Sequence, residues 1–160
     1  MANRKDKENY YLDIAQIVAE RGTCLRRNFG AIIVSNDEII STGYSGAPRG
    51  RKNCIDKGFC KRQELQTPKG EKYELCCSVH AEANAIISAQ RKEMIGGTLY
   101  LAGVEASTGK LVEDAAPCMM CERFIINAGI DKVIVRNTPE RYTPYLVQRD
   151  FVENEDTKRY

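Results

Sequence analysis

The sequence predicts an α/β fold, and three observations support this prediction. Runs typical of β-strands alternate with helical stretches after residue 80, two further β-rich runs are joined by a short polar turn nearer the N-terminus, and an amphipathic stretch precedes both. Alternating strands and helices are typical of βαβ units, in which helices cover a sheet. We therefore expect an α/β sheet that also carries an antiparallel hairpin.

The N-terminal elements are predicted to be a helix and a hairpin. Residues 10–21 carry apolar side chains at helical spacing, and Gly22 follows where a helix would end. Residues 30–34 and 38–42 are short β-rich runs, and Ser35-Asn36-Asp37 between them is typical of a hairpin turn.

The later elements alternate in type. Helices are predicted at 80–91 and 117–128, and strands at 98–101 and 132–135. Proline is favoured at the first position of a helix, so Pro117 is expected to begin the second of these helices.

One domain is expected to account for residues 1–160, because a chain of this length with 42% hydrophobic residues can bury its own core. A cysteine-bearing loop at about 43–79 is rich in Gly, Pro, Lys and Arg, and loops of this length are usually functional or clamped by a metal. Residues 137–160 are polar and weakly periodic, and no element is assigned to them.

Charge and hydropathy argue against several classes of protein. The formal net charge is +2, from 24 basic and 22 acidic residues, so no broad basic surface for nucleic acid is expected. No apolar run reaches membrane-spanning length, and the charged start does not have the apolar core of a signal peptide. We therefore expect a cytoplasmic protein without a membrane partner. A small anionic substrate is compatible with this balance of charge.

Cysteines and one histidine carry the strongest functional signal. The seven cysteines favour metal binding over a disulfide framework, because no export signal is present. His80-Ala81-Glu82 is followed 35 residues after Glu82 by Pro117-Cys118-Met119-Met120-Cys121. This pair of motifs is typical of zinc deaminases. Cys118 and Cys121 would share one face of the first helical turn, where the helix dipole lowers thiol pKa.

The expected site is a catalytic zinc with three protein ligands. His80, Cys118 and Cys121 would leave the fourth tetrahedral position open for a water whose pKa the metal lowers, and Glu82 would carry protons without coordinating. Alone, the Cys-x-x-Cys could be a redox pair or half of a structural zinc site, and a His-x-Glu occurs by chance in many helices. Together and in this order they favour catalysis, and His80 is the only histidine in the chain.

At these residues the sequence resembles the cytidine and deoxycytidylate deaminase superfamily, over about 24–135. His80-Ala81-Glu82-Ala83-Asn84-Ala85-Ile86 is especially similar to the deoxycytidylate branch. The resemblance implies a three-layer α-β-α sandwich around a mixed, five-stranded sheet. It also implies hydrolytic deamination of dCMP to dUMP and ammonia, and a homo-oligomer, often a hexamer. Many relatives are activated by dCTP and inhibited by dTTP, effectors that would bring magnesium.

The resemblance also suggests binding residues. Substrate contacts are expected from Asn28, Ser45, Ala81, Ala116, Arg26 and Arg27, and effector or phosphate contacts from Tyr44, Gly46, Arg49 and Arg51.

Two features depart from the pattern of the family. Ser45 stands where relatives commonly carry Asn, so a hydroxyl replaces an amide's paired donor and acceptor. Residues 102–116 exceed the usual short link, and their Ser107-Thr108-Gly109 turn predicts an inserted hairpin. The hairpin could cover the active site, make a subunit contact, or be a tolerated surface insertion.

A second, structural zinc is suggested by the remaining cysteines. Some relatives hold such an ion in this region, and Cys24, Cys54, Cys60 and Cys76 match the layout. Cys76 is preferred to Cys77 because relatives commonly fill the position four residues before the catalytic histidine. The alternative is that these cysteines are buried small hydrophobes or unpaired surface thiols.

Other functions stay open on the sequence alone. The substrate could be free cytidine, guanine, tRNA adenosine or a modified pyrimidine nucleotide. A non-catalytic zinc-binding module is a further alternative, and the presence of Glu82 argues against it because a structural zinc needs no general base.

Overall fold

The fold is organised around one mixed sheet. In the computed structural model, which describes residues 3–154, five strands lie in the order β2-β1-β3-β4-β5. The β3–β4 pair is parallel and the other three pairs are antiparallel. The strands are β1 (Arg27–Ser35), β2 (Glu38–Tyr44), β3 (Thr98–Glu105), β4 (Lys132–Arg136) and β5 (Tyr142–Leu146). The predicted α/β class and mixed five-stranded sheet are confirmed.

Six α-helices are found in the described part of the chain. They are α1 (Lys7–Ala19), α2 (Cys54–Lys57), α3 (Lys61–Glu64), α4 (Ala81–Ile87), α5 (Arg91–Met94) and α6 (Met119–Ala128). A 3₁₀ turn at Tyr73–Leu75 and a π-helical turn at Gln148–Val152 complete the helical structure there. No helix in residues 3–154 is both long and apolar enough to cross a membrane.

Helices cover both faces of the sheet and produce three layers. Alternate side chains of β1 point to opposite faces, because the side-chain period of a strand is two. Ile32 packs with Leu12 and Ala15 of α1 on one face. Ile33 packs with Ala85 of α4 and Ile125 of α6 on the other face.

Two glycines let helices approach the sheet closely. A Cβ at Gly30 would collide with the backbone of Ala15 and Ala19 in α1. A Cβ at Gly43 would collide with the backbone of α4. Both helices therefore rest directly on strand backbone, which fixes their height above the sheet.

The N-terminal elements agree with the sequence in type and differ at their ends. The hairpin forms between β1 and β2, and its turn residues Asn36 and Asp37 have φ of 51° and 62°. Two consecutive positive φ values suit the right-handed twist of a hairpin. Helix α1 begins before residue 10, because the Asp6 carboxylate accepts a hydrogen bond from the Asn9 backbone at 2.9 Å and caps it.

The later elements differ from the prediction in two places. The predicted helix 80–91 is divided into α4 and α5, with Ser88 as the C-cap of α4. Residues 137–160, to which no element was assigned, supply β5 and the π-helical turn. Strand β5 is short and contains Pro144, which an edge strand tolerates. Residues 155–160 of that segment lie outside the described part.

The long loop and the segment after β3 are both closed by backbone pairing. Gly46 and Val79 exchange hydrogen bonds of 3.2 and 2.7 Å, which brings the two ends of the loop together. After β3, Leu111 forms an antiparallel bridge with Val104, and Glu105 accepts a hydrogen bond from Gly109 at 2.8 Å.

Candidate active site

Three potential metal ligands meet where two helices begin. His80 immediately precedes α4 and Cys118 immediately precedes α6, while Cys121 lies in the first turn of α6. Their ligand atoms lie within 4.8 Å of one another. Each sulfur is 3.4 Å from His80 Nδ1.

These separations fit a tetrahedral zinc ion. Bonds of about 2.3 Å to sulfur and about 2.0 Å to nitrogen would separate two such ligand atoms by about 3.5 Å. Three ligands of N and S type are also the set typical of a catalytic zinc with an open fourth position. The residues present therefore fit the ion that their sequence pattern indicates.

The prediction that Pro117 begins the second helix is wrong. Helix α6 starts at Met119, and Cys118 is the N-cap with an extended backbone at φ −74° and ψ 163°. The Cys118 sulfur accepts a hydrogen bond from the Cys121 backbone at 3.4 Å and so performs the capping role itself. Cys118 at the N-cap and Cys121 at the third helical position still lie on one side of α6, so their two sulfur atoms converge.

The two thiols have opposite pKa shifts because they lie close together. A hydrogen bond from Cys121 and another from His80 lower the pKa of Cys118 to about 4 against the effect of burial. The same contact with Cys118, together with burial, raises the pKa of Cys121. The contact thus favours the thiolate form of Cys118, and both thiols lose their protons when they coordinate a metal.

Glu82 is a buried carboxyl group next to this centre. It lies in the first turn of α4, is 4% exposed and contributes to the cavity beside His80 and Cys118. Burial raises its pKa, and the charge of His80 opposes this effect. A raised pKa makes it easier for a carboxyl group to hold a proton and later release it, as a general acid–base must.

A cavity of about 560 Å³ is lined by His80, Cys118 and Glu82, with the buried Cys121 behind them. Of the predicted substrate residues, five line it: Arg26, Arg27, Ser45, Ala81 and Ala116. The structure does not place Asn28, Tyr44, Gly46, Arg49 or Arg51 among the lining residues.

Two of the predicted substrate-binding side chains form hydrogen bonds with backbone groups near the cavity. The Asn28 amide accepts from the Cys24 N–H at 2.8 Å and donates to the Cys24 carbonyl at 3.1 Å, which explains its distance from the lining. The Ser45 hydroxyl accepts from the Phe29 N–H at 3.0 Å, and its own proton is left to donate into the cavity.

An ion-pair network crosses one side of the cavity. Arg27 pairs with Glu105 at 2.9 Å and approaches Asp114 at 3.8 Å, and Lys69 binds Asp114 at 2.8 Å. All four side chains line the cavity. Two carboxylates therefore offset the positive charge that the sequence suggested for binding phosphate.

A stack of three side chains also reaches the site. The Arg62 guanidinium lies 4.5 Å from the centre of the Tyr73 ring, and the Tyr73 ring meets the His80 ring edge-to-face at 4.7 Å and 82°. Sequence analysis missed Arg62, Tyr73, Lys69, Glu105 and Asp114 because no local spacing connects them, and only the closed loop brings them together.

The other five cysteines are free thiols that do not assemble a metal site among residues 3–154. Within residues 3–154, the only group of three or more potential metal ligands that meets at 4.8 Å is the one at His80. Cys24, Cys54, Cys60 and Cys76 do not form a second such group. Burial raises the pKa of Cys54, and nearby Cys24, Cys77 and Cys60 raise it further. Lys57 donates to the Cys77 sulfur at 3.4 Å.

Comparison with known proteins agrees with this geometry. The family model described as the cytidine and deoxycytidylate deaminase zinc-binding region matches residues 5–137. The deoxycytidylate deaminase of Mycobacterium phage D29 is 34% identical over 137 residues, covering 82% of this chain and 95% of the phage protein. The Schizosaccharomyces pombe deoxycytidylate deaminase is 32% identical over 147 residues, covering 91% of this chain, which spans 42% of the yeast protein.

Solved structures show the same relationship. The dCMP deaminase of cyanophage S-TIM5, in complex with dCMP and dUMP, superposes with a TM-score of 0.59 at 25% identity, over 86% of this chain and 85% of the phage chain. Cytidine deaminase from Burkholderia pseudomallei shares the fold, with a TM-score of 0.58 at 17% identity, over 90% of this chain and 95% of the other. With the family model matched across most of its length and the ligand set assembled, this chain belongs to the cytidine and deoxycytidylate deaminase family.

Proposed function

We propose that this protein is a deoxycytidylate deaminase, which converts dCMP and water to dUMP and ammonia. The observation that carries the proposal is the meeting of His80, Cys118 and Cys121 beside a cavity that His80, Cys118 and the buried Glu82 line. Open zinc sites with a nearby carboxyl group are suited to hydrolysis of an amino group on a nucleobase.

The choice of dCMP rests on two further observations. Relatives covering more than four-fifths of this chain are named deoxycytidylate deaminases, and the S-TIM5 enzyme was crystallised with dCMP and dUMP. The cavity is lined on one side by Arg26, Arg27 and Lys69, and cations of this kind favour a phosphate-bearing substrate.

Zinc, when held by these three ligands, supplies an activated water by lowering its pKa toward neutrality. Glu82 takes a proton from the attacking water and transfers it to the ring nitrogen next to the amino-bearing carbon. Glu82 then passes the second proton of that water from the new hydroxyl group to the amino group, so that the C–N bond breaks, ammonia leaves and a carbonyl remains at that carbon. Burial suits Glu82 to this role because its raised pKa lets it hold the proton between the two transfers.

Further features of the resemblance belong to the same proposal. We propose a structural zinc at Cys24, Cys54, Cys60 and Cys76, regulation by dCTP with magnesium and by dTTP, and a homo-oligomer such as a hexamer. We also propose that the whole chain is one domain and that the enzyme is cytoplasmic, since thiolate ligands need a reducing compartment. The number of cysteines left over from the catalytic motif, in a chain with no disulfide framework expected, supports the second zinc.

The Glu82→Gln substitution tests the mechanism. Because the amide has a similar shape and cannot carry the proton, turnover should fall by about 10²–10⁴-fold while zinc stays bound. Ammonia release and metal analysis measure the two effects, and Glu93→Gln on the exposed face of α5 is the matched control. Turnover at the normal rate by Glu82→Gln would reject the assigned mechanism.

Comparing substrates tests the specificity. Initial rates are measured by ultraviolet absorbance with dCMP, CMP, deoxycytidine, cytidine and dCTP. We expect the rate with dCMP to be the highest. Equal rates with deoxycytidine would reject recognition of the phosphate. If none of these compounds is deaminated, guanine, tRNA adenosine and modified pyrimidine nucleotides become the substrates to examine.

Metal analysis tests the second zinc. Fully loaded, active protein should contain about two zinc ions per chain, one at each group of ligands. A value of about one in the wild type, unchanged by Cys54→Ser, would reject the structural site.

A further inference from the structure

Arg62 is a cation in an unusual environment. It is only 7% exposed, and no carboxylate forms an ion pair with it within residues 3–154. Burying a charge is strongly unfavourable unless other groups replace the lost water. The groups that stabilise Arg62 therefore indicate why a cation is held at this position.

Backbone oxygens and an aromatic face replace that water. The Arg62 guanidinium donates to the carbonyls of Pro68 and Glu71 at 3.0 and 2.9 Å, and it lies 4.5 Å from the centre of the Tyr73 ring. A cation over a desolvated aromatic face is attracted by the ring's quadrupole. Arg62 thus binds two points of its own loop and holds the plane of Tyr73.

Tyr73 transmits this restraint to a metal ligand. Its ring meets the His80 ring at 4.7 Å and 82°, the edge-to-face arrangement that aromatic rings prefer. Both hydrogen-bond contacts that the structure gives for the His80 ring use Nδ1, the atom facing the two thiols. Metal-binding histidines are usually oriented by a hydrogen bond to the other ring nitrogen. Here ring packing supplies the orientation.

We infer that Tyr73, clamped by Arg62, is a positioning residue that fixes the His80 ring for metal binding. The inference rests on the proposed metal centre and is independent of which nucleotide is the substrate. It assigns the loop at 43–79 a defined role, since Arg62 and Tyr73 both belong to it. Zinc affinity should therefore depend on a residue that does not itself coordinate.

The test compares Tyr73→Leu with Tyr73→Phe. Phenylalanine keeps the ring and leucine removes it, so only leucine should free the His80 imidazole. Partners of metal ligands typically contribute 10–100-fold to affinity, and we expect a loss of about that size for Tyr73→Leu and a change of less than about threefold for Tyr73→Phe. Competition with a chromophoric zinc chelator measures the affinity.

Cobalt substitution provides a readout beyond affinity. The visible bands of Co²⁺ depend on ligand geometry, so the Tyr73→Leu spectrum should shift while the Tyr73→Phe spectrum matches the wild type. His80→Ala identifies which bands belong to this centre, and urea unfolding shows that each variant is folded. Arg62→Met should shift the bands in the same direction as Tyr73→Leu.

The outcomes separate this inference from the proposed function. Wild-type zinc affinity and an unchanged cobalt spectrum in Tyr73→Leu would overturn the inference and leave the deaminase proposal standing. Equal losses in Tyr73→Leu and Tyr73→Phe would also overturn it, because the phenol oxygen and not the ring would then be responsible. Wild-type protein that binds no zinc at His80 would contradict the proposed function itself.

Discussion

At the scale of single residues, buried charges in this chain serve different purposes. Glu82 lies where burial raises its pKa and the charge of His80 lowers it, a balance that suits proton transfer. Arg136 is also buried, yet its guanidinium binds Asp13 at 2.6 Å, Gln16 at 3.0 Å and the Asn9 side chain at 3.0 Å, all on α1. Arg136 therefore fastens α1 to β4 and takes no part in the cavity.

The Asp13–Arg136 pair predicts how stability depends on pH. Burial raises the pKa of Asp13, but hydrogen bonds from Lys5 and Arg136 lower it more. A carboxyl group with a lowered pKa stabilises the fold above its unfolded pKa of about 3.9, and this contribution is lost as pH falls through the folded pKa.

Asp13→Asn should therefore destabilise the protein at pH 7 by about 1–2 kcal/mol, because Asp13 is 38% exposed and solvent weakens the pair. The difference from the wild type should shrink below about pH 4. Urea unfolding at several pH values measures it, with Asp131→Asn as a control, because the Asp131 side chain is exposed and forms no ion pair with any residue in 3–154. A difference that grows in acid would contradict the assignment.

Asp114 predicts an effect on substrate binding. Its carboxylate binds Lys69 and approaches Arg27 beside the cavity, so it competes with a substrate phosphate for both cations. Asp114→Asn should lower KM for dCMP by about two- to fivefold, since a side chain that is 63% exposed is screened by solvent. KM for deoxycytidine, which has no phosphate, should stay unchanged. A parallel fall in both KM values would contradict the competition.

At the scale of elements, the contact between β2 and α4 positions half of the site. Helix α4 begins directly after His80 and contains Glu82, and it rests on Gly43 without an intervening side chain. Any atom added at residue 43 must push α4 away from the sheet. The metal ligand and the proton carrier would move with it.

Gly43→Ala should therefore destabilise the protein by about 1–3 kcal/mol, the usual effect of overpacking. It should also lower kcat at temperatures where the variant is fully folded, because α4 must shift. Thermal unfolding and steady-state kinetics measure the two effects. Thr42→Ala, on the exposed face of the same strand, is the control; normal kcat in Gly43→Ala would show that α4 tolerates the displacement.

At the scale of the whole molecule, the features that could be predicted from the sequence are those that depend on a local pattern of residues. The hairpin follows from two β-rich runs around Asn36 and Asp37, and the metal ligands follow from their motif spacing. The start of α6 was misplaced because backbone angles at Cys118, which no composition reveals, determine the cap.

The remaining differences between the predicted and the observed structure depend on contacts between distant parts of the chain. Strand β5 carries polar residues and Pro144, and it is a strand because β4 offers a partner edge. Arg62 and Tyr73 belong to the long loop, whereas other parts of the cavity lining come from residues 24–29 and 105–118, so their contact with the site follows only from the folded loop. Asn28 was predicted to contact the substrate, and sequence spacing did not show that its side-chain amide hydrogen-bonds both polar backbone groups of Cys24.

The insertion of β3 between β1 and β4 has a consequence for the order of assembly during folding. His80 and Cys118 lie on opposite sides of β3 in the chain, and their helices become neighbours on one face only when β3 is paired on both edges. Contacts between distant parts of a chain form slowly, because loop closure precedes any gain. We therefore expect the three ligands to come together late in folding, so the rate at which refolding protein takes up zinc should follow the completion of the sheet.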